Sequence, residues 1–349
     1  MKTVLNTFLL IATFTLGNLS LFASEAHADD AHEEKPFDAV EVIMHHISDA
    51  HDFHILDYTD DSGVEHPVSI PLPVILYTNG SLDVFMSSAF NHGHDEVIRG
   101  NNRYKLDHGH ITELNGAHPI DFSITKNVFS MFLSIIIILL IFISVGRSYR
   151  KGGLAPSGLA SFMEPLVLFV RDDIAVPNIG EKKADKFLPY LLTVFFFIWV
   201  NNLLGLIPFF PGSANLTGNI SFTITLAFIT FMITNLNGNK DYWKHVFATP
   251  GVPFWLLPIM IPVELMGIIA KPVALLIRLF ANITAGHIII LSLISLIFIF
   301  KTIMIAPVSV GFVLFMDVLE LLVAALQAYI FTLLSALFIG MAVTEHEHH

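Results

Sequence analysis

Arg278 stands in the middle of KPVALLIRLFAN, Lys271 to Asn282, inside an apolar run long enough to cross a membrane. An arginine at the centre of a membrane helix costs roughly 2.5 to 3.5 kcal/mol on insertion scales, so an ionisable group at that depth reads as a functional residue. Snorkelling to the headgroups is the plain alternative. It fits poorly, because apolar residues extend over Val273 to Ile277 on one side and Ile288 to Phe300 on the other. Glu264, Lys271 and Arg278 recur at intervals of seven, two helical turns, so a continuous helix carries them on one face with Asn282 one turn further on. His287 lies nine residues beyond Arg278, half a revolution away. A second apolar block repeats the interval with Glu320 and Gln327, and Asp317 stands three before Glu320. Singly, each of these residues reads as an interhelical hydrogen bond. Together they form a chain of carboxylate, amide and imidazole through lipid depth, the construction of proton and ion relays.

Composition sets the class that must position these groups. With 54% hydrophobic and 14% charged residues, the chain reads as a multi-span membrane protein and not a soluble enzyme. It contains no cysteine, which excludes disulfides and thiolate metal sites. The formal charge of −12 is concentrated: Asp29 to Asp121 holds eighteen acidic and four basic residues, the rest of the chain twelve and fourteen. Residues 1–28 have the parts of a secretory signal: Lys2, an apolar stretch from Val4 to about Leu16, and a small-x-small site at Ala26-His27-Ala28. A first transmembrane helix is the alternative, but its apolar part is short. Cleavage near Ala28 and export of the following acidic segment are expected.

That segment, residues 29–121, reads as a small α+β extension. FDAVEVIMHHI places Val40, Ile43, Met44 and Ile47 at helical spacing. VILYT-NG-SLDVF joins two alternating strands through Asn79-Gly80, whose turn positions both require positive φ. Histidines are plentiful, at 45, 46, 51, 54, 92, 94, 108 and 110. Spacing without an orienting second shell is weak evidence for metal, so a solvated, pH-responsive surface is expected and no metal or cofactor site is assigned.

Residues 122–349 read as membrane domain. Asn127 to Val145 is a clean span ending at Arg147, Arg150 and Lys151, cations that mark its cytoplasmic end. Gly158 to Val170 is apolar but short and carries Glu164, followed by Arg171, Asp172 and Asp173, the pattern of an interfacial or hairpin element. Leu188 to Phe210 crosses outward with Asn201 and Asn202, two lesser site candidates, near its far end and Pro208 and Pro211 closing it. Ile220 to Leu236 returns to a loop with Lys240, Lys244 and His245. The remainder forms two long blocks, Phe254 to Phe300 and Ile303 to Met341, broken by Lys301, with Pro258, Pro262 and Pro272 as places to bend. At ~1.5 Å per residue, Lys271 to Phe300 alone reaches about 45 Å against a hydrocarbon core of ~30 Å. The expected fold is therefore an all-α polytopic membrane protein of about five inserted helices plus the amphipathic element, the last two helices long and strongly tilted. Its N-terminus is expected in the periplasm and its C-terminus in the cytoplasm of a bacterial inner membrane.

KPVALLIRLFANITAGHIII resembles the signature of subunit a of F-type ATP synthases, the static half of their membrane ion channel. The likeness extends to NNLLGLIPFFPGSANLTGNISFTITLAF and ELLVAALQAYIFTLLSALFIGMA, and more weakly to VEVIMHHI and DFSITKNVFSMF. The last two lie close together in the family pattern, so roughly Ile55 to Pro119 reads here as an insertion. The resemblance implies that Arg278 faces a ring of c subunits, each with a membrane-buried carboxylate, and that Glu264, Asn282, His287, Glu320 and Gln327 line two half-channels or support the arginine. His287 and Glu320 stand in the exchanged order relative to many bacterial members, which implies that the two side chains meet. The implied mechanism takes a proton or sodium ion past His287, Glu320 and Glu264 to a rotor carboxylate, then out after Arg278 displaces it. Implied partners are the c ring, peripheral stalk b subunits and, indirectly, the soluble head, with no nucleic acid. No GxxxxGK[ST] loop occurs, in keeping with a subunit that does no ATP chemistry itself. A self-contained secondary transporter, a stator of another motor and a non-conducting anchor are the competing readings; the first would need an internal repeat, and none is visible.

Overall fold

The computed structural model describes residues 39–59, 65–93, 95–107, 109–116, 118–150, 158–207, 210–247, 253–300, 302 and 304–344. The signal-like residues 1–28, the side chains of His45, His46, His54 and His92, His94, His108, Lys151, Pro208, Lys301 and the terminal EHEHH lie outside them. The chain divides into two compact units. The first comprises the residues up to Leu133 with Leu203–Leu216 and Gly286–Glu320; the second comprises Ser134–Asn202, Thr217–Ala285 and Leu321 onward.

The N-terminal part of the first unit has helix α1 (Ala39–Ile47) and strands β1 (Asp52–Thr59), β2 (Glu65–Pro71), β3 (Pro73–Thr78), β4 (Ser81–Met86), β5 (Val97–Arg99), β6 (Asn102–Asp107), β7 (His110–Glu113) and β8 (Ile120–Asp121). They make a β1-β2 hairpin and two antiparallel sheets, ordered β4-β3-β8 and β5-β6-β7. The expected hairpin is present: Asn79 (φ 51°) and Gly80 (φ 83°) turn the chain so that Thr78 pairs with Ser81. One face packs Val74, Leu76 and Phe85 against Phe90, Val97, Tyr104 and Ile111. At the tip, Asn102 is buried and donates to Ser81 and Asp83, while the Tyr104 hydroxyl also donates to Asp83 at 2.7 Å.

This domain joins its first membrane helix, α2 (Lys126–Arg150), without a free linker. Phe122 and Ile124 donate to the Ile75 and Pro73 carbonyls, and Lys126 and Asn127 donate their backbone N–H groups to Ala50 and the Asp49 carboxylate. Phe53, Phe129 and Phe210 stack edge-on and tilted at 5.3–5.6 Å around the same junction.

The remaining helices are α3 (Leu159–Leu168), α4 (Val176–Ile179), α5 (Glu181–Gly205), α6 (Ile220–Leu236), α7 (Lys240–Phe247), α8 (Leu257–Phe300) and α9 (Ala306–Val343). A π-helical stretch, Phe169–Ala175, connects α3 to α4, and Gly180 at φ 90° ends that run. It covers the short apolar stretch that the sequence set apart from the spans; its face toward the core is Met163, Val170, Ile174 and Ile179. Asn219 caps α6 by accepting from the Ser221 N–H. Among the described residues, four helices, α2, α5, α8 and α9, are long and apolar enough to cross a membrane, and α6 with α7, bent by 102°, makes a fifth if counted as one span.

Helix α8 runs unbroken for 44 residues through Pro262 and Pro272, and α9 for 38. Each proline removes one ladder hydrogen bond, which membrane helices tolerate. At ~1.5 Å per residue α8 is about 66 Å long, roughly twice the thickness of a bilayer's hydrocarbon core. The core of the second unit gathers Ile174, Leu191, Ile198, Leu275, Leu279, Ala328, Phe331 and Ile339 from these elements.

Candidate functional site

In the first unit, the C-terminal half of α8 and the N-terminal half of α9 run antiparallel, tied by the Ser309 hydroxyl donating to the Leu293 carbonyl. On this pair of helices the His287 Nδ1 and Glu320 Oε1 meet in a hydrogen bond. The side chains are 19% and 4% exposed, so the contact is shielded from solvent. Asp317, one turn before Glu320 and also buried, lies within electrostatic range of both. Asp317 Oδ2 and Glu320 Oε2 are buried without a hydrogen-bond partner among the described residues. Two carboxylates and an imidazole with unused acceptor atoms can pass a proton along.

Gly286 makes this pairing possible. A Cβ there would fall 2.9 Å from Glu320 Oε1 and 3.1 Å from its Cδ. Nothing in the sequence marks it, since a lone glycine in an apolar helix reads only as a weak spot. Its position beside a polar residue that meets another helix is the one signal available.

In the second unit, Arg278 lies on the exposed side of α8 with Ala274, Ile277, Ala281 and Asn282, while Leu275, Leu279 and Ile283 on the opposite side are buried. Among the described residues its guanidinium has no hydrogen-bond or ion-pair partner. Gln327 is buried on α9. Asn201 and Asn202 are fastened into the packing: Asn202 accepts from the Thr217 hydroxyl and donates to the Ala324 carbonyl, and Asn201 donates to Phe197 within α5.

Glu264, 23 residues before His287 on α8, lies in the second unit. It opens onto a cavity of ≈ 470 Å³ together with Lys271, Asp241, Tyr242, His245 and Thr344. The Lys271 ammonium lies 5.7 Å from the centre of the Phe338 ring. The floor is set by close packing: Gly340 on α9 sits so near Asn178 that a Cβ would fall 1.9 Å from its carbonyl oxygen. Asp241 and His245 escaped the sequence reading because α7 is short and polar and looks like an ordinary loop helix.

No group of three or more histidine, aspartate or glutamate side chains suited to a metal occurs among the described residues.

Residues 128–340 match the family model described as ATP synthase A chain, and residues 42–129 match a domain of unknown function, DUF8433. The chain is 52% identical over 235 residues to ATP synthase subunit a of Chloroherpeton thalassium, an alignment covering 65% of this chain and 69% of that one. It is 50% identical over 248 residues to ATP synthase subunit a 2 of Chlorobaculum tepidum, covering 69% and 68%. To ATP synthase subunit a of an Anaeromyxobacter species it is 48% identical over 254 residues, covering 69% and 61%.

Proposed function

The chain belongs to the ATP synthase A chain family, and from that membership we propose that it is the static ion-channel subunit of an F-type ATP synthase. Its role is ion translocation in the membrane sector, without nucleotide chemistry of its own. The observation that carries the finer reading is Arg278: a permanent charge on the exposed side of a membrane-length helix, unpaired among the described residues. A charge at lipid depth without a partner is costly, and a rotor carboxylate presented by a neighbouring subunit would supply one.

His287, Glu320 and Asp317 form the inlet half-channel, where an ion is handed to the rotor carboxylate and neutralises it. The neutral carboxyl then travels through lipid. When it comes round to Arg278, the guanidinium, charged at any accessible pH, favours the ionised carboxylate and so releases the ion. The cavity lined by Glu264, Lys271 and Asp241 is the outlet on the cytoplasmic side, the side to which the charged loop around Lys240 and Lys244 and the chain's C-terminus are assigned. Arg278 also blocks direct leakage from inlet to outlet. One charge crossing 100 mV yields about 2.3 kcal/mol, so several ions must be pooled by rotation for each ATP. The c ring and the peripheral stalk b subunits are the partners this requires.

Arg278→Ala in the assembled complex is the test. ATP-driven ion pumping into membrane vesicles should fall to background while the c ring and stalk still copurify, and normal pumping in that variant would overturn the assignment.

A further inference from the structure

Helix α7 is anchored through Asn239, the residue that precedes it. The Asn239 N–H donates to the Ala342 carbonyl and its side-chain amide to Val343, while Lys183 Nζ donates to the same Val343 oxygen at 2.7 Å. These bonds satisfy carbonyls that the end of α9 leaves open. Gly238 fixes the bend that precedes α7, since a Cβ there would fall 2.7 Å from the Tyr242 ring. The result is that one face of α7, with Asp241 and His245 four residues apart, opens onto the cavity that also holds Glu264. Exposure rises outward along this set: Glu264 and Asp241 are half-buried and His245 is exposed.

We propose that α7 is the proton-exchange element at the mouth of the outlet, with His245 taking up and releasing protons at the water boundary and Asp241 linking it to Glu264. The proposal rests on the outlet reading of the cavity given above. Imidazole is the side chain suited to exchange protons in both directions near neutral pH. Among the described residues that line the cavity with His245, the ionisable groups are Asp241 and Tyr242 from α7 itself and Glu264 and Lys271 from α8; Asn178, Gly340, Met341 and Thr344 from the other walls carry no ionisable side chain. Lys240 and Lys244 are exposed neighbours on α7. Each transfer is a proton passing from one acceptor to the next, so no other reactant is needed.

The test uses inverted membrane vesicles carrying the whole complex, whose cytoplasmic face is turned outward, with His245→Ala and Arg278→Ala compared side by side. His245→Ala should pump protons about tenfold more slowly on ATP, and imidazole added outside should restore much of the rate, increasingly as its concentration rises. Unchanged pumping in His245→Ala would overturn the proposal. So would a slowed rate that imidazole does not restore, because that pattern belongs to a packing role. Asp241→Asn should slow pumping as well, without imidazole rescue. If Arg278→Ala still pumps, the proposed function from which the outlet reading follows has failed; if Arg278→Ala is dead while His245→Ala is normal, only this proposal has.

Discussion

Glu320 uses one carboxylate oxygen on the His287 ring and keeps the other buried without a partner among the described residues. In the proposed inlet, an ion arriving at that oxygen would meet an acceptor held in place by the His287 bond. Removing either side chain should abolish most ion flux, and exchanging them, His287→Glu with Glu320→His, should restore part of it. Coupling energies of contacting residues run from about 0.5 to 3 kcal/mol; a double-mutant cycle on pumping rate that shows no coupling would deny the contact a functional role. Gly286→Ala pushes on the same carboxylate and should slow pumping while the complex still assembles. In the N-terminal domain, burial pushes the Asp121 carboxyl up, but hydrogen bonds from His51 and Ser123 outweigh it and hold the group below the ordinary carboxylate value. A depressed value stabilises the fold above the ordinary range near ~4 and is lost as pH falls through the lower, native value. Hydrogen exchange at Leu76 and Tyr77, which pair with β8, should quicken over that acid window in the wild type. In Asp121→Asn it should be faster at neutral pH and insensitive to the same acidification.

Among the elements, α9 depends on one close approach. Gly340 admits no side chain against the Asn178 carbonyl, a backbone atom that cannot swing aside. Overpacking typically costs about 1 to 3 kcal/mol, and Gly340→Ala should lower the thermal stability of the detergent-solubilised subunit and reduce recovery of the complex; an unchanged unfolding temperature would contradict the packing. Helix α8 behaves differently from what its prolines suggest. Pro262 and Pro272 leave it unbroken, because in lipid the backbone has no water to turn to and keeps every hydrogen bond it can. The helices α2 and α6 were legible as apolar runs with charges or polar residues at their ends. The strands β5, β6 and β7 were not, since NRYKLD and HITE offer only two or one apolar positions and take their shape from Tyr104 and Ile111 entering a shared core.

For the whole molecule, the absence of cysteine makes orientation directly testable. A single cysteine at the exposed Asn101 should react with an impermeant maleimide from the periplasmic side, and one at Lys244 only from the cytoplasmic side; the reverse pattern would invert the topology and with it the inlet and outlet. The first turn of α2 donates backbone N–H groups to the Ala50 carbonyl and the Asp49 carboxylate, so the N-terminal strands and that turn are joined by hydrogen bonds as well as by the chain.

The sequence by itself determined the membrane class, the hairpin at Asn79-Gly80, the extent of the long helices and the candidacy of Arg278, His287 and Glu320. Those follow from hydropathy, turn chemistry and the cost of charge in lipid, all of which act locally along the chain. Only the tertiary structure decided that Glu264 shares its cavity with Asp241, His245 and Thr344, that Asn201 and Asn202 are engaged in packing, and that Gly286 and Gly340 are fixed by what lies against them. The physical reason is that helical spacing specifies which face a residue occupies, whereas the neighbour that meets that face comes from a segment remote in sequence.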